Sequence, residues 1–237
     1  MELVHVAVVV LSLLSAGQSS PVTSCESLTQ PLDFQGRDQL LGRWTYLGES
    51  TDMLGTRALT KMFMETSWLN FTAGDNSDTI NTFQSQKMLG LCFSVSYKHT
   101  LKNNTLSMVQ PYSGSGILLN TGCPDCLVLY SNYTIGQSSY KVLQLLSKRA
   151  KVSAAELEEF KKQAECLSLS SPVFLDSEKG FCSDESVSQQ KTIDLSDTMN
   201  NITSDQLSQL DKILRSQGGV KTLMEMLTSA VGQINPN

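Results

Sequence analysis

The chain has 237 residues, of which 40% are hydrophobic and 17% are charged, and its formal net charge is −5. It has no stripe of Lys and Arg, so nucleic acid is not an expected partner, because phosphate binding requires a basic surface. The sequence contains two histidines and shows no zinc-ligand spacing, nucleophile elbow or phosphate-binding loop, which argues against an enzyme, a metal site and a cofactor.

Residues 1–17 are predicted to form a secretory signal peptide. Their apolar run, from Leu3 to Ala16, is too short to span a bilayer comfortably, and small residues follow it as signal peptidase prefers. Glu2 and the lack of Lys or Arg before the run are atypical, and a retained membrane anchor is the alternative. No other segment is apolar and long enough to cross a membrane, so the expected location is extracellular, as for a plasma protein.

Two further features fit the secretory route. Asn-x-Thr sequons begin at Asn70, Asn103, Asn132 and Asn201, and each predicts a glycosylation acceptor. The six cysteines are an even number, as expected when cysteines pair in an oxidising compartment.

The mature chain is predicted to contain a β-barrel domain at residues 18–186, followed by a polar linker and an amphipathic helical tail at residues 187–237. Before the tail, short runs of alternating hydrophobicity are separated by turn residues, which predicts an all-β fold. An eight-stranded up-and-down antiparallel barrel would leave no exposed sheet edge and would hold one small ligand inside. The predicted strands cover residues 43–49, 62–71, 79–87, 91–99, 105–110, 117–120, 126–133 and 139–146.

The first predicted strand follows Gly42, whose lack of a Cβ permits a sharp turn into the strand. Because side chains alternate along a strand, Trp44 and Tyr46 share one face. After this strand, residues 50–60 are interpreted as an irregular loop across an opening of the barrel, because Gly55 interrupts them.

The sequons also predict which side chains point into the barrel. Asn70 must face solvent to be glycosylated, so its neighbours Leu69 and Phe71 face inward unless a β-bulge intervenes. The same argument from Asn132 turns Leu129 inward and its two neighbours outward. The candidates for a ligand-binding lining, each of which is also compatible with a solid core, are Tyr46, Leu69, Phe71, Gln84, Gln86, Phe93, Val95, Leu127, Leu129, Val142, Gln144 and Leu146.

A helix is predicted to follow the last strand and to pack against the outside of the barrel. Ser153 and Glu156 have the spacing of a capping box at its start. Phe160 and Ala164 recur at helical spacing toward Cys166, and charged residues occupy the opposite face.

The tail holds further amphipathic stretches, after a candidate short strand at residues 173–175. A second capping box, at Thr203 and Gln206, predicts a helix that ends at Gly218 and Gly219, and another helix follows. These helices would rest beside the barrel. A lid, a dimer contact and a lipid-surface anchor are the alternatives.

The Gly42-Arg-Trp44 motif, the strands that follow it and the helix behind them together resemble the lipocalin family. The resemblance implies that Arg149 lies over Trp44, so that the two close one end of the barrel through a cation–π contact of about 1 kcal/mol. Lys148, next to Arg149, is the alternative cation. The middle motif of the family is only partly present, at residues 124–126.

Within the lipocalins, the chain resembles the orosomucoid branch, with its fish tributyltin-binding and pufferfish saxitoxin- and tetrodotoxin-binding members, and next to it apolipoprotein M. The resemblance covers roughly residues 25–186 and is carried by residues 71–72, 78–80, 103–105 and 156–160, together with Cys92, Cys166 and Cys182. It implies the disulfides Cys25–Cys166, Cys92–Cys182 and Cys123–Cys126. The first two would close long loops and stabilise the fold by about 4–5 kcal/mol each, whereas a redox dithiol is the alternative for the third.

The lipocalin resemblance implies a secreted carrier that reversibly binds small hydrophobic or amphipathic molecules, such as lipids, xenobiotics or toxins. Saxitoxin and tetrodotoxin carry guanidinium groups and would need a carboxylate or an aromatic partner near the cavity. Glu49 and Glu65 are the nearest acidic candidates. His99 is interpreted as a solvated residue at a strand end. The alternative is an interaction module that engages lipoproteins, membranes or immune partners through its glycans and its tail.

Overall fold

The computed structural model describes residues 24–34, 36–183 and 192–234 of the chain. The predicted signal peptide and the predicted boundary between barrel domain and tail lie outside these residues. The strands are β1 (Gly42–Thr51), β2 (Met64–Ala73), β3 (Thr79–Met88), β4 (Leu91–Lys102), β5 (Thr105–Met108), β6 (Ser113–Leu119), β7 (Cys126–Ile135), β8 (Ser138–Ser147), β9 (Val173–Phe174) and β10 (Thr192–Asp194). The helices are α1 (Cys25–Leu28), α2 (Leu54–Phe63), α3 (Ala154–Cys166), α4 (Ser196–Asn200), α5 (Ser204–Arg215) and α6 (Gln217–Ile234).

The first eight strands close into the predicted barrel. Each strand from β1 to β7 pairs antiparallel with the next one along the chain, and β8 pairs antiparallel with β1. Two short strands extend this sheet. β9 pairs antiparallel with β1, which confirms the strand expected near residues 173–175, and β10 pairs in parallel with β4.

Alternation along the strands produces two hydrophobic layers. The inner layer lies within the barrel and includes Leu129. The outer layer lies between the barrel and α3 and includes Val128 and Phe160, each 1% exposed. Leu129 and Val128 are adjacent on β7, so the alternation inferred from the sequon at Asn132 is confirmed for this strand.

The helix after the barrel forms as predicted. The N–H of Glu156 donates to Ser153 Oγ at 3.3 Å, and the Ser153 N–H donates to the Glu156 carboxylate at 2.6 Å, which completes the capping box. The disulfides are Cys25–Cys166, between α1 and α3; Cys92–Cys182, between β4 and the segment after β9; and Cys123–Cys126, between the turn before β7 and the first residue of β7. All three pairings implied by the resemblance are therefore confirmed.

Residues 54–63 form helix α2, so the prediction of an irregular loop at residues 50–60 is wrong. The helix lies at the open end of the barrel, between β1 and β2. Gly55 does not interrupt it. A Cβ at this position would lie 2.3 Å from the carbonyl oxygen of Leu214, so the glycine permits the close approach of α5.

The tail also differs from its prediction in one detail. Helix α5 ends at Arg215, where Ser216 adopts an extended conformation, and Gly218 and Gly219 lie inside α6 rather than at a helix end. Among the described helices, none has the combination of length and apolarity that crossing a bilayer needs.

Candidate ligand-binding cavity

Trp44 closes one end of the barrel. Gly42 opens β1 with a φ of 96°, a left-handed value that glycine adopts without strain, and Trp44 then points inward. The indole is 4% exposed, and its Nε1 donates to the carbonyl oxygen of Leu40 at 2.7 Å. The floor of the barrel is therefore a buried ring held by the backbone that precedes β1.

The cation over this ring is Lys148, and the prediction that Arg149 lies there is wrong. Lys148 Nζ is 3.8 Å from the centroid of the indole. Arg149 instead pairs with the carboxylates of Asp125 and Glu156, each at 2.7 Å, on the side where α3 packs. Alternation explains the difference, because Lys148 continues the inward face of Leu146, whereas Arg149 continues the outward face.

Above this floor, the barrel contains a cavity of about 310 Å³. A cavity of this size lies at the lower end of the range for small-molecule sites. The predicted lining residues that do line it are Tyr46, Leu69, Phe71, Gln84, Gln86, Val95, Leu129, Val142, Gln144 and Leu146.

The structure places the other two predicted lining residues elsewhere. Leu127 lies two residues before Leu129 on β7 and packs in the hydrophobic cluster that includes Trp44. Phe93 is half-buried near the start of β4, where it lies opposite Ile193 of β10. Neither Leu127 nor Phe93 therefore lines the cavity.

Several lining residues were missed although alternation could have identified them. Tyr97 and His99 continue the inward face of β4, and Tyr133 and Ile135 continue that of β7. Other lining residues lie on strand ends, loops, α2 or the tail, where alternation gives no signal: Met53, Thr56, Met64, Met108, Pro111, Tyr112 and Met199.

A β-bulge turns Glu49 into the cavity. The register of β1 against β8 slips by one residue between Tyr46 and Gly48, so alternation counted from Tyr46 is reversed at Glu49. The Glu49 side chain lines the cavity and its residue is 7% exposed. Its Oε2 accepts from the Tyr46 hydroxyl at 2.6 Å, and its Oε1 accepts from the Thr60 hydroxyl of α2 at 2.7 Å.

The buried carboxylate of Glu49 accepts hydrogen bonds from two neutral hydroxyls. Among the residues that the structure describes, no Lys or Arg forms an ion pair with it. Glu65, the other acidic candidate, does not line the cavity; its carboxylate lies 3.9 Å from Lys87 Nζ and accepts from the Gly90 N–H. A buried carboxylate attracts donors and cations, so the cavity has a polar end near α2.

Four of the five tyrosines that line the cavity are neutral hydroxyl groups deep in the barrel. Burial raises the pKa of Tyr97, Tyr112 and Tyr133, and burial followed by the charge of Glu49 raises that of Tyr46. The Tyr112 and Tyr133 rings meet edge to face, with centroids 5.4 Å apart. The lining thus offers aromatic surface without adding negative charge.

His99 lies inside the barrel, and the prediction that it is solvated is wrong. It is 9% exposed, lines the cavity, and its Nδ1 is 2.9 Å from Thr82 Oγ1. Burial lowers the pKa of His99 to about 4, so its imidazole is neutral at physiological pH. His99 points inward because it follows the alternation of Val95 and Tyr97 on β4, although it lies near the end of the strand.

Helix α5 covers part of the open end of the barrel. Leu214 is 6% exposed and packs against Met53 and Tyr140. Asp211, also 6% exposed, accepts from the Ser138 hydroxyl at 2.8 Å and from the Tyr140 hydroxyl. The first helix of the tail after α4 is therefore fixed to the rim by both apolar and polar contacts.

The asparagines of the four sequons are accessible to different degrees. Asn103, Asn132 and Asn201 are exposed, and Asn70 is half-buried on β2. Attachment of a glycan at each of them stays a prediction.

No model of a known protein family matches the chain, and no curated protein matches its sequence. Solved structures do match its fold. The siderocalin Ex-FABP, described as functioning through dual ligand specificities, is 13% identical with a TM-score of 0.54, over 62% of this chain and 100% of its own. A dog lipocalin allergen is 16% identical with a TM-score of 0.51, over 62% of this chain and 99% of its own. At these identities the likeness establishes the fold alone, and the chain has the lipocalin fold.

Proposed function

We propose that the chain is a secreted carrier that reversibly binds small hydrophobic or amphipathic molecules inside its barrel. The observation that carries this proposal is the cavity of about 310 Å³ above the Trp44 floor. Its lining is mostly aromatic and aliphatic with a few polar groups, so apolar contact would give affinity and the polar groups would orient the ligand. The dual ligand specificities described for the siderocalin of the same fold support this use of the cavity.

The carrier would act outside the cell, in a fluid such as plasma. Three disulfides join parts of the chain that are distant in sequence or close a turn. Such bonds persist in oxidising compartments and are rare in the cytosol. Together with the sequons and the predicted signal peptide, they support a glycosylated extracellular protein.

A larger side chain at position 142 is expected to raise the dissociation constant of a ligand at least tenfold, which corresponds to about 1.4 kcal/mol. Val142 lines the cavity, so the ring of Val142→Phe would occupy the ligand's volume. Lys141 precedes it on β8 and is exposed, so Lys141→Phe adds the same ring outside the barrel as a matched control. Titration of each variant with the neutral dye Nile red, followed by its fluorescence, gives the dissociation constants. Equal affinities of the two variants would contradict the proposal.

Within this class, we propose that the favoured ligands carry a cationic or hydrogen-bond-donating group. Glu49 supplies the buried carboxylate, and a charge-assisted hydrogen bond to such a group contributes about 1.5–3 kcal/mol. Guanidinium toxins such as saxitoxin and tetrodotoxin belong to this class. The position of Glu49 supports it, and not Glu65, as the residue that would hold them.

Decylamine is expected to displace Nile red roughly tenfold more strongly than decanoic acid does, since the two share an alkyl chain and differ in charge. Glu49→Gln keeps the size of the side chain and removes its charge, so it should abolish this preference. Competition titrations on the unmodified chain and the variant measure both effects. A preference that persists unchanged in Glu49→Gln would refute the role of Glu49, while the Val142 comparison would still decide whether the cavity binds ligands.

The alternative function, an interaction module acting through the tail, would require the tail to project away from the barrel. Helix α5 packs on the rim, and the Asn200 side chain donates to the carbonyl oxygen of Ser96 in β4 at 3.2 Å. These contacts support the carrier. Contact of the exposed tail surface with lipoproteins, membranes or immune partners stays a prediction.

A further inference from the structure

The wall of the barrel has a gap beside β4 that the other barrel strands do not cover. β5 is four residues long and pairs with β4 only at residues 100–102. β4 begins at Leu91, so most of its edge on this side lies beyond that pairing. A sheet edge left in this state presents unpaired backbone N–H and C=O groups and opens the side of the barrel.

The tail fills this gap. β10 pairs in parallel with the start of β4, at residues 92–94. The contact then continues through hydrogen bonds from the Leu195 N–H to the Ser94 carbonyl oxygen (2.8 Å), from the Ser96 N–H to Ser196 Oγ (2.8 Å), and from Asn200 Nδ2 to the Ser96 carbonyl oxygen (3.2 Å). We call residues 192–200 the strap. The strap satisfies backbone groups of β4 that β5 leaves without a partner.

The strap is also part of the cavity lining. Met199, in α4, lines the cavity together with Tyr97 of β4. A ligand in the cavity would contact the Met199 thioether, which is flexible and adapts to ligands of different shape. Ligand binding and docking of the strap are therefore linked, and each strengthens the other.

Of the elements that close the cavity, the strap is the least buried. No residue of β10 or α4 is buried. In α5, by contrast, Asp211 and Leu214 are each 6% exposed, and two hydroxyls of β8 bond to the Asp211 carboxylate. In α2, Thr60 is 5% exposed and bonds to Glu49. Local opening follows low burial, so the strap detaches more readily than α2 or α5.

We propose that ligands enter and leave through the side of the barrel, between β4 and the segment after β5, when the strap unpairs from β4. This inference rests on the proposed carrier function and names the route by which its cavity fills. Because a ligand can exchange only while the strap is undocked, the population of the undocked state sets both the association rate and the dissociation rate.

The double variant Ser196→Ala, Asn200→Ala tests this route, because it removes two side-chain hydrogen bonds between the strap and β4. It leaves Met199 and the sequon at Asn201 intact. We expect Nile red to associate and dissociate roughly tenfold faster in stopped-flow fluorescence, as the loss of two hydrogen bonds implies. The dissociation constant should change by no more than about threefold, since both rates rise together.

The matched control is Arg215→Ala, which removes a hydrogen bond of 2.8 Å from α5 to the Ser138 hydroxyl at the rim. It should leave both rates unchanged. Rates that rise in Arg215→Ala but not in the double variant would overturn the side route in favour of the mouth. A rise in the dissociation rate alone would overturn it too, because the double variant would then weaken the bound state without opening the route by which the ligand enters. If the unmodified chain does not bind Nile red at all, the carrier function itself fails.

Hydrogen exchange on the unmodified chain provides a test that does not depend on a variant's folding. Amides of the strap should exchange faster than those of α5 in the free chain, and Nile red should slow exchange in the strap. Slower exchange in the strap than in α5, or no change on binding, would overturn the proposal.

Discussion

Trp44→Ala is expected to lower the free energy of unfolding by about 3–5 kcal/mol. The indole is 4% exposed in the inner hydrophobic cluster, and its Nε1 donates to the carbonyl oxygen of Leu40. Its removal would leave a void at the floor of the barrel and a buried carbonyl group without its partner. Guanidinium denaturation of the chain with its disulfides intact measures the difference.

Double-mutant cycles separate the two possible assignments of the cation at the floor. Lys148→Met should cost about 0.5–1 kcal/mol more in the unmodified chain than in the Trp44→Ala background, where the cation–π contact is already lost and only the hydrogen bond from Lys148 Nζ to the Leu41 carbonyl oxygen remains. Arg149→Met should cost the same in both backgrounds, since Arg149 pairs with Asp125 and Glu156. Coupling of Trp44 to Arg149 instead of Lys148, or a Trp44→Ala loss below about 1 kcal/mol, would contradict the structure of the floor.

Acidification is expected to lower the free energy of unfolding by about 3 kcal/mol through His99. Its pKa is 6.5 when the chain is unfolded and is lowered to about 4 by burial in the fold. Between these two values the unfolded chain binds a proton that the native chain does not. The contribution of His99 to the free energy of unfolding is therefore fully present above pH 6.5, the pKa in the unfolded chain. It is lost as the pH falls toward about 4, the pKa in the fold.

The variant His99→Gln removes this titration while keeping a polar group near Thr82 Oγ1, which lies 2.9 Å from His99 Nδ1. Its free energy of unfolding should fall less steeply over the same pH interval, with the difference approaching about 3 kcal/mol at the acidic end. Urea denaturation at a series of pH values compares the two chains. Parallel pH profiles would show that His99 does not remain neutral in the native barrel.

The order of the strands and much of the inner surface could be predicted because they depend on local properties of the chain. Turn residues mark the strand ends, and alternation from Asn70 correctly places Leu69 and Phe71 in the cavity lining. The same rule, applied from Leu146, would have placed Lys148 at the floor in place of Arg149. The resemblance alone implied Arg149, whereas the position of the cation at the floor follows the alternation of β8.

The remaining features depend on contacts between distant parts of the chain. Glu49 reaches the cavity only because the register of β1 against β8 shifts by one residue. The residues around Glu49 do not reveal the register of that pairing. Gly55 is a helix breaker by propensity, yet it allows α5 to approach α2 at Leu214. The strap belongs to the wall of the barrel because β5 is short, which no local pattern in residues 192–200 reveals.

The proposed carrier function requires a hollow barrel that is closed below by Trp44 and polar near Glu49. A crystal structure of the chain with decylamine tests it most directly. We predict that the alkyl chain lies between Phe71 and Leu129 and that the ammonium group lies within hydrogen-bonding distance of the Glu49 carboxylate. A barrel interior filled by its own side chains, or decylamine bound only on the outer surface, would contradict the account.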